Sequence, residues 1–452
     1  MRASSMTLRI HRLLLQLFAV LAVPVIIGAQ PRGGELEQSV PIGLIQYSIF
    51  QLPGPAADSI IVDLHYRLQQ QYFVFLRQAN GRFEAKGELL AEFLDDNGTS
   101  VGREIRPIRV ERSELPGPNE ILPDIQSIIR NTLPMRRVNV VFEVKSFESG
   151  RTFLERTRRV SMAFPLAGPA LLDDPMPAYR DSGTHMLKSF NRNGAILYGS
   201  TGGLVLSARL PENSHTAVIR WKVHSQGSEF GSVRREYEGT DTLAADSHVE
   251  LAQSEGEVGY RLTPGLQNGW CGFFLSLPLH LLEPGTPQVD LILESGGTSV
   301  ERTYRLPVVW PSRPQSLSRF DLAVDALRHI ATEEDIDDMT GFMADDGQER
   351  FREYWRKRDP DTTTAYNEVQ EEYYRRVDEA IRKFSTRGEF DGYKTDRGRI
   401  LILWGTPSSM NRVFRPNTGP REIWTYESLR KRFIFSDPSR TGEYVLTQTE
   451  DL

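Results

Sequence analysis

The sequence predicts a multidomain chain. Two antiparallel β-sandwich regions, Ig-like in size, precede an α+β C-terminal domain with helices packed on a small antiparallel sheet. Three observations carry this expectation. Apolar runs with period-2 alternation recur from about residue 40 to about 310, as in Val140-Val-Phe-Glu-Val-Lys, which suits strands with one buried face. Turn signals punctuate them, among them Asp95-Asp-Asn-Gly98 and Glu148-Ser-Gly150; Asn-Gly takes positive φ at little cost. Beyond Val308-Val-Trp-Pro-Ser-Arg-Pro314 the period changes from 2 to 3.6, the spacing of helices. A length of 452 residues leaves room for about three domains.

The first 29 residues stand apart. Arg2, Arg9 and Arg12 form a basic start, Leu13 to Ile27 is an apolar run, and Gly28-Ala29 closes it with small residues. This pattern predicts a signal peptide cleaved after Ala29, and hence an extracytoplasmic protein, periplasmic or secreted. Pro24 and the shortness of the run argue against a retained anchor, since a span needs about 20 apolar residues. No transmembrane anchor is expected after cleavage. The expected mature chain carries 51 basic and 60 acidic residues, a charge of −9. That balance favours solubility and disfavours nucleic acid as a partner. The one cysteine, Cys271, sits among Trp270, Phe273 and Phe274 and reads as a buried small hydrophobe.

The first sandwich is expected over residues 30–165, with strands at Ile42–Phe50, Ser59–Leu68, Tyr72–Arg77, Gly87–Phe93, Val138–Phe147 and Arg151–Ala163. Ile121 to Leu133 reads as a short helix or a crossing loop. A Pro-rich linker follows at 166–178, and a second sandwich over 179–311.

The C-terminal domain is expected over residues 312–452. Ser318 with Asp321, and Thr332 with Asp335, have capping-box spacing. Phe351, Tyr354 and Trp355 stripe one helix that stops at Pro360. The next helix is expected from Thr362 or Thr363 to Phe384, with Tyr366, Val369, Tyr373, Val377, Ala380 and Phe384 on one face. On it, Glu371–Arg375 and Glu372–Arg376 are i,i+4 pairs. Arg399-Ile-Leu-Ile-Leu-Trp404 reads as a strand, followed by three more near 422–426, 431–435 and 443–446.

This C-terminal block resembles the GWxTD domain family of exported bacterial proteins. The likeness runs through Phe351/Trp355/Arg358-Asp359-Pro360, Asn367-Glu368, Tyr373-Tyr374-Arg375-Arg376 and Gly392-x-x-Thr395-Asp396-Arg397-Gly398. It continues through Gly405-x-Pro407, Glu422-x-Trp424-x-Tyr426 and Phe433-x-Phe435. Tyr393 stands where the family pattern has Trp. The resemblance implies export and β-rich segments upstream. It supplies no catalytic residues.

Two readings of the charged residues compete. In the functional one, Arg358, Asp359, Asn367, Glu368, Thr395, Asp396 and Arg399 gather in a cleft, and Glu368 and Asp396 are the acid–base candidates of a hydrolase of envelope glycan or peptide. In the structural one, the same groups, with Trp355, Tyr393 and Arg397, form a partly buried network that fixes helix against sheet. The structural reading is preferred, because such networks shift pKa values in scaffolds too. No metal site is expected, since the histidines are scattered without HxH or HExxH spacing. No cofactor motif, nucleophile elbow or phosphate loop appears. The expected function is therefore a non-enzymatic binding or scaffold protein of the cell envelope, whose partner is an envelope protein or glycan.

Overall fold

The computed structural model describes residues 43–452 apart from short segments at 116, 118–121, 135–137, 161–169, 172–174, 191, 212–213, 229, 255, 342–345, 386–389 and 416–418. The expected leader lies outside the described residues. So does much of the expected linker. The chain is mostly β, with several antiparallel sheets and a few helices.

In the first β region, Ile45–Pro53, Ser59–Leu68 and Ile125–Pro134 form a three-stranded antiparallel sheet. Leu76–Arg77, Phe83–Leu94, Ser100–Arg112, Val138–Ser146 and Thr152–Val160 form a five-stranded one. Alternation puts Ala85, Leu89, Ala91 and Phe93 of one strand against Ile60, Val62 and Leu64 of the other sheet, in a single apolar core. Tyr47 stacks on Phe142 across it, ring centres 4.6 Å apart. Ile125–Pro134 is thus a strand, where a helix or loop was expected. Its ten residues pair along the whole of Ser59–Leu68, and sheet pairing overrides weak local preference. Tyr72 and Phe73, expected in a strand, belong instead to a 3-10 turn, Gln70–Tyr72, and its end.

The second β region holds a seven-stranded antiparallel sheet that includes Met176–Arg180, Gly202–Arg209, Glu257–Pro264 and Trp270–Leu277. It also holds a four-stranded sheet of Thr216–Ser225, Arg235–Ala244, Gln288–Ser295 and Thr298–Arg305. The two share a core. Cys271 is buried in it, and burial pushes its thiol up to about 12. The described part of the expected linker belongs to the seven-stranded sheet. Ala170–Leu171 pairs with Gly202–Arg209, and Met176 and Ala178 are buried.

Every residue of Ile45–Pro53 is buried. One face lies on the first core. The other places Phe50 and Leu52 in an apolar cluster with Met176, Val205 and Tyr260 of the second region.

Five α-helices follow among the described residues: α1 (Phe320–Ala326), α2 (Glu333–Thr340), α3 (Gly347–Arg356), α4 (Glu368–Phe384) and α5 (Asp396–Trp404). Ser409–Arg415, Gly419–Tyr426, Lys431–Ser436 and Val445–Asp451 then form a four-stranded antiparallel sheet. Helices and sheet share one core, with Phe351, Trp355, Tyr374, Val377, Ile400 and Trp424 inside it.

The Thr332–Asp335 capping box is present. The one expected at Ser318 is not. Gln315–Ser318 is a 3-10 turn whose Gln315 and Ser316 amides bond to the Asp378 carboxylate, so α1 begins only at Phe320. α4 begins at Glu368 rather than near Thr362, because Asn367 caps it. Glu372 pairs with both Arg375 and Arg376. Glu371 instead accepts the Trp310 indole N–H at 2.7 Å. No helix of the described residues is long and apolar enough to cross a membrane.

Candidate functional site

Residues 392–399 explain themselves once α5 is seen to be a helix. Thr395 is its N-cap: Oγ accepts the Gly398 amide at 3.0 Å and donates to the Gly392 carbonyl at 2.8 Å. Gly392 and Gly398 permit contact of backbone on backbone. A Cβ on Gly392 would run into the Ala380 carbonyl of α4, and one on Gly398 into the Gly392 carbonyl. Asp396 accepts Arg399 Nη2 at 2.9 Å and the Leu446 amide at 2.8 Å, tying α5 to the last strand.

Arg397 reaches the sheet. Its Nη1 donates to the buried Glu422 carboxylate, which also accepts the Trp424 indole N–H at 2.8 Å. Burial holds the Arg397 guanidinium below its usual range, and Glu422 partly offsets this. Tyr393 donates to Asp325 of α1, and its carbonyl takes His329 Nε2 at 2.8 Å. Burial alone would raise the Asp325 carboxyl. Bonds from Tyr393, Lys394 and Arg328 outweigh it and hold the group low.

The other sequence-predicted residues lie at the opposite end of α4. Asn367 Oδ1 accepts the Gln370 amide and its Nδ2 donates to the Trp355 carbonyl, both at 2.9 Å, so one side chain joins the end of α3 to the start of α4. Arg358 lies over the Tyr354 ring and bonds the Tyr354 carbonyl at 2.9 Å. Glu368 is exposed. Glu368 opens α4, while Gly392, in the turn before Asp396, lies against Ala380 and Ile381, and Arg397, next to Asp396, lies over Phe384 at the far end of that helix. At 1.5 Å per residue, Glu368 and Ala380 are roughly 18 Å apart along the axis, so Glu368 and Asp396 lie toward opposite ends of α4.

Asp359 lines a cleft of about 200 Å³ between these helices and the second β region. Tyr198 and Trp310 form one wall, with ring centres 5.1 Å apart. Both rings are pinned by their polar ends: Tyr198 donates to the Ala365 carbonyl and Trp310 to Glu371. Arg352 pairs with Glu283, and its Nη1 donates to the Gly231 carbonyl at 2.9 Å. Burial, with Arg235 adding, lowers the Arg352 guanidinium. Burial also raises the Asp359 carboxyl; the Asp361 amide, bonded at 3.0 Å, opposes this and the Asp361 charge adds to it.

The family model that matches this sequence is the GWxTD domain, over residues 293–451. The C-terminal third is a GWxTD domain. No curated protein matches the chain. The match starts upstream of the expected boundary at 312, and so includes the strand Thr298–Arg305 and Trp310.

Within the GWxTD domain the structure splits the predicted residues in two. Tyr393, Thr395, Asp396, Arg397 and Arg399 form a joint between helices and sheet. Trp355, Asp359 and Asn367 belong to the cleft, with Arg358 and Glu368 outside it. The sequence reading missed the cleft residues of the second β region. Phe230 packs edge-on against Phe320 and Phe351 of the GWxTD domain, at 5.2 and 6.1 Å. Next to it, Gly231 takes φ 71° and lies so close to Gln348 that a Cβ would strike its carbonyl. An aromatic beside a glycine at a turn was the available signal. Among the described residues, no group of three or more His, Cys, Asp or Glu is placed to hold a metal ion.

A second polar cluster joins the two β regions. Arg130 bonds Asp63 through two nitrogens at 2.7 Å, Tyr260 donates to Asp63 at 2.7 Å, and His65 Nε2 lies 2.6 Å from the Tyr260 hydroxyl. The Tyr260 proton is used on Asp63, so His65 donates from Nε2. Burial pulls His65 down to about 4, with Asp63 opposing and Arg130 adding.

Proposed function

We propose that this is an exported, non-enzymatic binding or scaffold protein of the cell envelope. In this reading two Ig-like β-sandwich modules, about 30–165 and 179–311, carry a GWxTD domain, and the cleft at the junction receives the partner. The observation that supports it best is the internal use of the signature side chains. Thr395, Asp396 and Arg397 all bond within the domain, as expected of a scaffold and not of a reactive centre. The cleft, in contrast, presents a half-buried carboxylate and aromatic walls to solvent, which is the make-up of a ligand site. The wide separation of Glu368 and Asp396 weighs against a hydrolase that uses them together, since paired glycosidase carboxylates lie within about 10 Å.

Two measurements test this reading. Fractionation of cells expressing the full chain, with N-terminal sequencing, should recover a protein starting at Gln30 in the extracytoplasmic fraction; a cytoplasmic, unprocessed product would contradict export. Mild cross-linking in envelope fractions should trap a partner that Asp359→Lys releases. Equal trapping by the variant would remove the cleft from the account.

A further inference from the structure

Four properties of the cleft narrow what it can hold. The first is its platform. Tyr198 and Trp310 are half-buried, and their polar ends are already bonded to Ala365 and Glu371. What remains for a ligand is ring surface, held rigid before binding.

The second is its rim. Asp359 uses one carboxylate oxygen on the Asp361 amide. The Gln370 side-chain amide and the Thr362 hydroxyl, both lining residues, have no bonded partner among the described residues. They offer donors and acceptors at short range, the inventory that hydroxyl groups satisfy.

Charge is the third. Arg352 is paired with Glu283, and Arg356 with Glu353 at 2.6 Å. Of the remaining charged lining residues, Arg235 and Asp359 balance one another. A strongly ionic ligand finds no net counter-charge, and burying it there would cost more than it returns. The fourth is size. About 200 Å³ corresponds to roughly seven waters at liquid density, enough for a sugar ring.

We propose that this cleft binds a neutral saccharide, one pyranose face stacked on Trp310 with Tyr198, its plane tilted 56° to the indole, against the sugar's edge, and its hydroxyls bonded to Asp359, Gln370 and Thr362. This rests on the reading of the protein as an envelope binder and names the ligand class. A sugar's C–H face meets the negative face of an aromatic ring favourably. Its hydroxyls replace the water that otherwise solvates Asp359.

The test is calorimetric titration of the mature full-length chain with neutral oligomers of glucose and of N-acetylglucosamine, and with oligogalacturonate as the acidic control. A neutral oligomer should bind, about tenfold more weakly in Asp359→Asn and in Gln370→Ala, where tenfold is about 1.4 kcal/mol. Gln370→Ala lies on a helix where alanine is favourable, so its loss of binding would not reflect unfolding. The inference is overturned by no saccharide binding up to about 10 mM, a concentration that detects millimolar affinity. Binding of oligogalacturonate alone, or equal affinity in both variants, also overturns it. Should saccharides fail while Asp359→Lys still releases a cross-linked envelope protein, the binder reading stands and the ligand class falls. Should a bound saccharide be cleaved, the non-enzymatic reading falls and the ligand class stands.

Discussion

Arg397 Nη1 donates to Glu422 at 3.3 Å, and the guanidinium lies over the rings of Phe384 and Tyr444, 4.7 and 4.3 Å from their centres. This contact joins α5 to the second strand of the C-terminal sheet. The two side chains are 11% and 1% exposed, and the exposed Arg412 is a second, more distant cation at 3.7 Å from Glu422. Glu422→Gln keeps an acceptor for the Trp424 indole, removes the charge and sets an amide N–H donor in place of the oxygen that Arg397 bonds. It should destabilise by about 3–5 kcal/mol, the cost of leaving one buried ion unpaired. Arg397→Met added to Glu422→Gln should recover part of that loss. Urea midpoints of the four proteins check both statements; additive losses would deny the pairing.

Asn367 bonds in two directions, so two substitutions separate its roles. Asn367→Asp retains the acceptor for the Gln370 amide and loses the donor to Trp355. Asn367→Ala loses both. The cap alone is worth about 1 kcal/mol, and an unmet buried carbonyl about 1–3 more. Thermal melts should rank wild type above Asn367→Asp above Asn367→Ala. Equal melting of wild type and Asn367→Asp would show that the Trp355 bond contributes nothing.

His65 makes the joint between the β regions sensitive to acid. Unfolded, the ring titrates near 6.5; folded, at about 4. Between those values the unfolded chain holds the extra proton, so stability falls as pH drops from 6.5 towards 4. The slope is at most about 1.4 kcal/mol per pH unit. Above the unfolded value His65 contributes no pH dependence. Urea midpoints at pH 7 and pH 5 should differ less in His65→Gln than in wild type. An identical difference in the two proteins would show that His65 is not the titrating group.

Much of this molecule was legible from local pattern. Val138–Ser146 alternates as its sequence alternates, because one of its faces meets a core and the other does not. Thr332 and Asp335 bond reciprocally, as their spacing requires. Tyr373, Val377 and Ala380 of the expected α4 face are buried, and the Tyr373 and Tyr374 hydroxyls are spent on the carbonyls of Ala326 and Ala323, whereas Val369 is exposed and Tyr366 precedes the helix. Arg399–Trp404 misled because a short run of Ile and Leu fits a buried strand or a buried helix equally well. Its helical state goes with the Thr395 cap and with two glycines, Gly398 against the Gly392 turn and Gly392 against the Ala380 carbonyl of α4. The cleft was illegible for a related reason. Tyr198, Arg352 and Asp359 meet only after two regions dock, and no spacing within one segment records that meeting.

The Thr395–Gly398 signature seats α5 on the Gly392 turn, which itself packs on α4, and the sharpest check of this is the urea midpoint of Gly398→Ala. The added methyl must displace the Gly392 carbonyl, so a loss of about 1–3 kcal/mol is expected, as for overpacking elsewhere. A Gly398→Ala protein as stable as wild type, or more so, would contradict it, since alanine is otherwise preferred in a helix.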